Sequence, residues 1–204
     1  MAERGRFIVL EGGEGSGKST QAQRLSAALD AVQTREPGGT AVGAQLREVL
    51  LGRSTTGLSD RAEALLMAAD RAQHVAEVVE PALAAGRHVV CDRFLGSSVA
   101  YQGHGRGLDP DEVRSLSLWA TAGLLPDLVV LLTVPAEEST RRTGGARDRI
   151  EDAGTAFHQR VADGFAAQAA ADPDRWVVVD GTGAKDQVAE EVLAAVRDRL
   201  GLDV

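Results

Sequence analysis

The order of apolar runs predicts an α/β protein: a three-layer sandwich in which a five-stranded parallel sheet carries helices on both faces. Three observations carry that expectation. Short runs rich in β-branched residues alternate with longer stretches whose apolar residues recur at helical spacing. A glycine-rich turn follows the first short run and leads directly into such a stretch. The run at residues 88–92 is apolar enough for a strand covered on both faces, as a parallel sheet requires.

Arg6, Phe7, Ile8, Val9 and Leu10 form the first expected strand, and Ala22, Leu25 and Leu29 share one face of the helix after the turn. Residues 31–36 read as a weak second strand, ended by Pro37, Gly38 and Gly39. Thr40 is placed to cap a helix over 41–51, with Val42, Leu46, Val49 and Leu50 on one face. Ser59 or Asp60 starts a long helix running toward Leu83, which Pro81 bends or divides. Gly86 ends it, and residues 88–92 are the third strand. Residues 94–107 begin as a helix or turn and are expected to become a glycine-rich loop from Gly103. Asp109 and Pro110 open a helix carrying Val113, Leu116 and Trp119. The strongest strand pattern is at 128–134; Pro135 closes it, and 136–143 is expected to be helical. Residues 144–152 are rich in Gly and Arg, lack apolar periodicity and are expected to form a mobile surface loop. A helix over 153–171, a fifth strand over 176–180 and a last helix over 188–200 complete the chain. No internal repeat or linker divides it, so residues 1–204 are expected to form one domain.

The turn carries the chemistry. Gly12, Gly17, Lys18 and Ser19 fit the phosphate-loop pattern G-x-x-x-x-G-K-[ST], which makes the expected fold of the P-loop NTPase type. Glycines let successive N–H groups turn inward toward phosphate oxygens, and the helix that begins near Lys18 adds the positive end of its dipole. The loop predicts nucleotide contacts from Gly12, Gly13, Glu14, Gly15, Ser16, Gly17, Lys18, Ser19 and Thr20. Lys18 supplies charge to the terminal phosphates, and the Ser19 hydroxyl is placed to hold Mg2+. Asp92, just past a buried strand, stands where such proteins keep an acid that assists the metal, with Arg93 beside it.

Composition narrows the classes. A net charge of −8 argues against a nucleic-acid surface, which is normally basic. A hydrophobic share of 44% with only 3% aromatic residues implies a core of Ala, Leu and Val. No apolar run is long enough to span a membrane. The first strand follows Met1–Arg6 at once, leaving no room for a signal peptide, and the single cysteine, Cys91, forms no intrachain disulfide. A cytoplasmic protein is expected. His74, His88, His104 and His158 show no metal-ligand spacing. An acidic protein that binds polyanions must gather cations locally; Arg35, Arg71, Arg93, Arg141, Arg142, Arg147 and Arg149 are the candidates.

Over essentially its whole length the chain resembles thymidylate kinase. The resemblance rests on residues 11–20, on Thr34-Arg35-Glu36-Pro37-Gly38-Gly39-Thr40, on residues 68–74, on Asp92-Arg93-Phe94, on Ser97-Ser98 with Ala100-Tyr101-Gln102-Gly103, and on Asp148-Arg149-Ile150-Glu151. It is to the bacterial branch without an arginine in the phosphate loop, since Gly15 stands at that position. The resemblance implies transfer of a phosphoryl group from MgATP to dTMP in dTTP biosynthesis, by a homodimer, with a short lid at about 141–152. It implies that Arg93, with Arg35 as a second candidate, holds the acceptor phosphate, and that Glu14 faces the sugar 3′-hydroxyl. Arg71 and Ser98 (or Ser97) would meet the thymine edge, with Gln102 nearby. Tyr101 would lie where a 2′-hydroxyl would be, and Arg149 and the turn at Asp180 would approach ATP.

Two positions depart from the family pattern. Met67 occupies the place where the family has a Phe that stacks on thymine; its sulfur is polarizable but offers no flat face. The catalytic arginine that this branch draws from the lid must be Arg141, Arg142 or Arg147, because Gly144 and Gly145 take up part of the segment. Arg147 is favoured, between the glycine pair and Asp148-Arg149, with Arg142 next. Competing readings are a kinase for another small acceptor and a nucleotide-dependent switch that binds a protein.

Overall fold

In β1 (Phe7–Glu11) side chains alternate between two cores, because successive residues of a strand point to opposite faces. Ile8 and Leu10 pack with Ala22 and Leu25 of α1 (Lys18–Ala28) and with Val188, Val192 and Val196 of α9 (Lys185–Leu200). Phe7 and Val9 pack on the other face with Val75, Val79 and Leu83. The computed structural model describes residues 3–144 and 149–202. Among them five parallel strands form one sheet, in the order β2 (Val32–Arg35), β3 (Val89–Asp92), β1, β4 (Leu128–Thr133), β5 (Trp176–Asp180). Helices cover both faces, and the α/β expectation holds.

The strand order reverses at β1, whose neighbours are β3 and β4. The loops leaving β1, β3 and β4 therefore open onto one crevice at the carboxyl ends, where ligands of such sheets sit.

Helix starts follow the local chemistry. Thr40 caps α2 (Ala41–Leu51), its hydroxyl accepting from Gly43 N at 2.9 Å. Ser59 caps α3 (Asp60–His74), and the Asp109 carboxylate caps α6 (Pro110–Ala120) through the N–H groups of Asp111 and Glu112. Beyond α3 the helix widens into a π-turn, Val75–Val79, before α4 (Glu80–Ala84). Pro81 sits at the start of α4, and the wider turn ahead of it accommodates a residue with no N–H to give.

Two expectations need correction. Residues 94–107 do not become a glycine loop. After α5 (Leu95–Ser98) the chain stays helical as a π-segment, Val99–Gly105. Its glycines serve close packing: a β-carbon on Gly105 would lie 2.6 Å from the Phe157 ring, and one on Gly103 would lie 3.1 Å from Pro110 Cα. The segment at 144–152 is not wholly a surface loop either. Ile150 is buried among Ala100, Tyr101 and Phe157, and Glu151–Ala153 forms a 3-10 turn. The latter follows α7 (Ala136–Thr143) and precedes α8 (Thr155–Ala171). No helix among the described residues is long and apolar enough to cross a membrane.

Candidate active site

The phosphate loop joins β1 to α1, and its glycines are required where the chain turns tightest. Gly12 has φ 144°, and a β-carbon there would meet Leu132 O at 2.3 Å. Lys18, the first residue of α1, is buried, and its ammonium donates to Gly13 O at 2.7 Å. Burial, and then the charge of Arg93, lower its pKa from 10.5 to about 8 against the pull of Glu14, Asp92 and Glu11.

At the end of β3, Asp92 accepts from the Ser19 hydroxyl through Oδ2 at 2.5 Å. Its other oxygen, Oδ1, is buried with no hydrogen-bond partner. A hydroxyl and a carboxylate oxygen form a hard donor pair that suits a small divalent cation keeping most of its own water. Among the described residues no group of three or more acidic, His or Cys side chains forms an all-protein metal cage.

Arg93 follows with φ 71°, a left-handed conformation uncommon for a residue with a β-carbon. Its guanidinium donates to Glu14 Oε1 (2.5 Å), Gly12 O (3.1 Å) and Ser97 Oγ (3.2 Å) and lies 5.0 Å from the centre of the Tyr101 ring. The Tyr101 hydroxyl also donates to Glu14 Oε1, at 2.9 Å. Burial alone would raise the Glu14 pKa, but Arg93, Lys18 and the Tyr101 hydroxyl hold it at about 2.

Behind Arg93 stands a residue that sequence reasoning passed over. Glu11, the last residue of β1, accepts from the N–H groups of Phe94 (3.0 Å) and Ser97 (2.9 Å) and from the Ser97 hydroxyl (2.5 Å). A relay thus runs from Glu11 through Ser97 to Arg93. Burial raises the Glu11 pKa to about 7 in spite of these bonds and of the Arg93 charge. Its only sequence signal is an acid at the end of an otherwise apolar strand.

Ser97 and Ser98 separate. Ser97 serves Glu11 and Arg93, whereas the Ser98 hydroxyl accepts from Arg71 Nη2 at 3.0 Å. Arg71, buried on α3, also donates to Glu36 Oε2 (2.8 Å), Ser117 Oγ (3.0 Å) and Phe94 O (3.1 Å). A pocket beside it is lined by Met67, Leu51, Phe94, Ser98, Gln102 and Ile150. A second cavity, of about 340 Å³, lies over the phosphate loop between Lys18, Ser19, Arg35, Arg47, Asp92 and Arg93. Arg47 lines both spaces and donates to Pro37 O; on an apolar helix, nothing in its local sequence marked it.

On the α7 side, Arg142 donates to Gly15 O (3.3 Å) and Gly181 O (2.9 Å), so it bridges the phosphate loop and the turn after β5. Asp180 shapes that turn by accepting from Thr182 N. Arg141 is exposed and pairs with Glu138. Arg147, favoured from the sequence, lies outside the described residues. The Arg149 guanidinium meets Glu63 Oε2 at 2.5 Å and Leu50 O at 3.0 Å, neither of them on the phosphate loop.

The family model described as thymidylate kinase matches residues 10–192. The chain belongs to the thymidylate kinase family. It is 52% identical to the thymidylate kinase of Solidesulfovibrio magneticus, with 93% of this chain and 98% of the relative covered. It is also 52% identical to that of Leifsonia xyli subsp. xyli, covering 96% and 94%. The crystal structure of thymidylate kinase from Ehrlichia chaffeensis superposes with a TM-score of 0.80 at 30% identity, over 95% of this chain and 99% of that one. In this thymidylate kinase family member Met67 is half-buried and lines the pocket together with Ile150.

Proposed function

We propose that the chain transfers the γ-phosphoryl group of MgATP to dTMP, giving ADP and dTDP, in the biosynthesis of dTTP. The observation that carries this reading is the meeting of two anion-binding elements. Lys18 on the phosphate loop and Arg93 at the end of β3 line one cavity, and a partly apolar pocket opens beside Arg93. One nucleotide is bound by the loop, and the phosphate of a second is brought in line with it.

An acceptor phosphate oxygen attacks the γ-phosphorus, and the bond from that phosphorus to the β-bridging oxygen breaks. The acceptor is already largely ionised, so positioning and charge neutralisation do the work rather than a strong base. Lys18 and the loop N–H groups hold the donor phosphates. Arg93, with Arg35 and Arg47 on the same cavity, holds the acceptor phosphate. Ser19 and Asp92 are the residues that would hold Mg2+, whose charge offsets that of the phosphates when it is bound; the unpartnered Asp92 Oδ1 fits that role.

Glu14 takes the sugar 3′-hydroxyl, and Tyr101 occupies the space of a 2′-hydroxyl. Arg71 with Ser98 reads the base edge, and Met67 and Gln102 line the base. Arg147, or Arg142 in its place, brings the lid cation, and the turn at Asp180 approaches adenine. Residues 1–204 act as one nucleoside-monophosphate-kinase-like domain with a lid at about 141–152.

The working form is a cytoplasmic homodimer. Val42 and Val49 on α2, Leu65 on α3 and Trp119 on α6 are exposed, Trp119 by 82%, on three helices that pack side by side. A second copy would cover them.

The test is ATP consumption with dTMP, dUMP, dCMP, dGMP and UMP in parallel. The expected outcome is fastest turnover with dTMP. Preference for another acceptor, or hydrolysis indifferent to any acceptor, overturns the reading; the second outcome would favour a nucleotide switch.

A further inference from the structure

Glu63 lies one helical turn before Met67, so the two side chains leave α3 on the same side. Glu63 is 1% exposed, and its two oxygens accept four side-chain hydrogen bonds from three partners. Gln102 donates at 2.9 Å, Arg106 at 3.2 and 3.1 Å, and Arg149 at 2.5 Å. Gln102 lies within the π-segment and Arg106 directly follows it, whereas Arg149 comes from the returning, C-terminal part of the lid segment. Burial alone would raise the Glu63 pKa, but the hydrogen bonds from Arg106, Gln102 and Arg149 together hold it below the ordinary carboxylate value. The carboxylate is therefore a junction between α3, the π-segment and the returning chain.

Arg149 is fastened at more than one point. Its Nε donates to Leu50 O at 3.0 Å, and its backbone N–H points at Leu51 O at 3.4 Å. This attachment to the end of α2 sets the next residue. Ile150 turns inward, is 6% exposed, and packs with Leu51, Met67 and Tyr101. It lines the same pocket as Met67, Phe94 and Gln102. An apolar wall of that pocket thus comes from the C-terminal part of the lid segment. Among the described residues, the guanidinium bonds of Arg149 go to α2 and α3, and neither goes to the phosphate loop.

We propose that Arg149 and Ile150 belong to the acceptor-base pocket rather than to the ATP site, with Glu63 as the positioning residue that latches them there. The inference rests on the assignment of this pocket to the acceptor base. Ile150 touches the base beside Met67, so aliphatic side chains line a ring that the family pattern stacks on an aromatic one. Seating of the returning chain and binding of the acceptor are then linked: each favours the other by the same factor. Arg149 acts through Ile150 and never contacts the transferring phosphate.

The test is titration of dTMP in the absence of ATP, and of ATP in the absence of dTMP, on the full chain. It uses the wild type, Arg149→Ala, Ile150→Ala, Glu63→Gln and the double variant Glu63→Gln with Arg149→Ala. Arg149→Ala and Ile150→Ala are each expected to weaken dTMP binding about 10-fold, the scale of losing one apolar contact with a ligand. ATP affinity is expected to change by less than about twofold, the scatter of independent sites. The preference for dTMP over dUMP should fall in both. The effects of Glu63→Gln and Arg149→Ala should be strongly non-additive. Ile150→Ala leaves the ion pairs of Glu63 in place and carries the test of the pocket by itself if the variants at Glu63 or Arg149 do not fold. A loss of ATP affinity in Arg149→Ala with dTMP binding unchanged overturns the inference, and so does additivity. Failure of the wild type to bind dTMP would overturn the assignment of the pocket instead.

Discussion

Arg71, buried, and Arg93, partly buried, lie on the same crevice, and their surroundings differ. Arg71 gives its hydrogen bonds to Glu36, Ser117, Ser98 and Phe94 O, all inside the protein. Glu36 is in turn shared with His74, so charge is matched locally before any ligand arrives. Arg93 also has an acidic partner, Glu14, but it shares its cavity with further cations. Burial and then the Arg93 charge lower the pKa of Lys18, while Glu14, Asp92 and Glu11 favour the charged form of Arg93, and Arg35 and Arg47 line the same cavity. The difference follows from what each side is proposed to meet. A neutral base is read by a fixed pattern of donors, so its pocket is finished in advance. A polyphosphate carries several negative charges, so its cavity gathers several cations close together. That is how a chain of net charge −8 accommodates two anions.

The largest effect that would sharpen the comparison is on the phosphate side. Lys18→Ala is expected to abolish measurable phosphoryl transfer, a loss of at least about 10³-fold on the scale of other charges at such transition states. Thermal stability should not fall. The folded pKa of Lys18, about 8, lies below its ordinary 10.5, so its charged form costs stability at neutral pH. Near-normal turnover with ATP and dTMP would remove the loop from the mechanism, and a large fall in melting temperature would contradict the electrostatic account.

Exchanging each arginine for alanine separates the two regions next. Arg93→Ala should lower kcat and kcat/KM together, because it faces a phosphate that carries transition-state charge, and should cost less stability than Arg71→Ala, because its partner Glu14 is more exposed than Glu36. Arg71→Ala should destabilise the fold by about 3 kcal/mol, because Glu36 loses a buried ionic partner. Denaturant melts and steady-state kinetics on both variants decide the matter; equal stability losses would erase the distinction drawn above.

The smallest effect is at Glu11, which is expected to steady Arg93 through Ser97. With a folded pKa of about 7 against 4.5 ordinarily, Glu11 keeps its proton where the unfolded chain has lost it. This group therefore makes stability fall as pH rises from about 4.5 to about 7. Glu11→Gln should flatten that part of the stability curve measured by urea melts. Parallel curves for the two proteins would show that the carboxyl titrates normally.

Where a feature depends on residues near in the chain, reading along the sequence was sufficient. The phosphate loop, the caps at Thr40, Ser59 and Asp109, and the five strands each rest on a few consecutive side chains or on one periodicity. Family membership followed from such short motifs. The features decided only by tertiary structure share a different cause. Glu11 meets Phe94 and Ser97, Glu63 meets Arg149, and Gly105 meets Phe157, in each case across fifty or more residues of chain. A glycine that relieves a clash with a distant ring looks in sequence like a glycine that loosens a loop, which is why the π-segment was expected to be irregular. A buried acid that organises two segments looks like any acid beside an apolar run. Ile150, set among charged residues, shows no helical or strand period and owes its burial to where α3 and the π-segment place their side chains. Local conformation is written in neighbouring residues, because steric and capping interactions act within a turn or two. The partners of a buried charge or a close-packed glycine are chosen by the packing of whole elements, and only the assembled sheet and its helices bring them together.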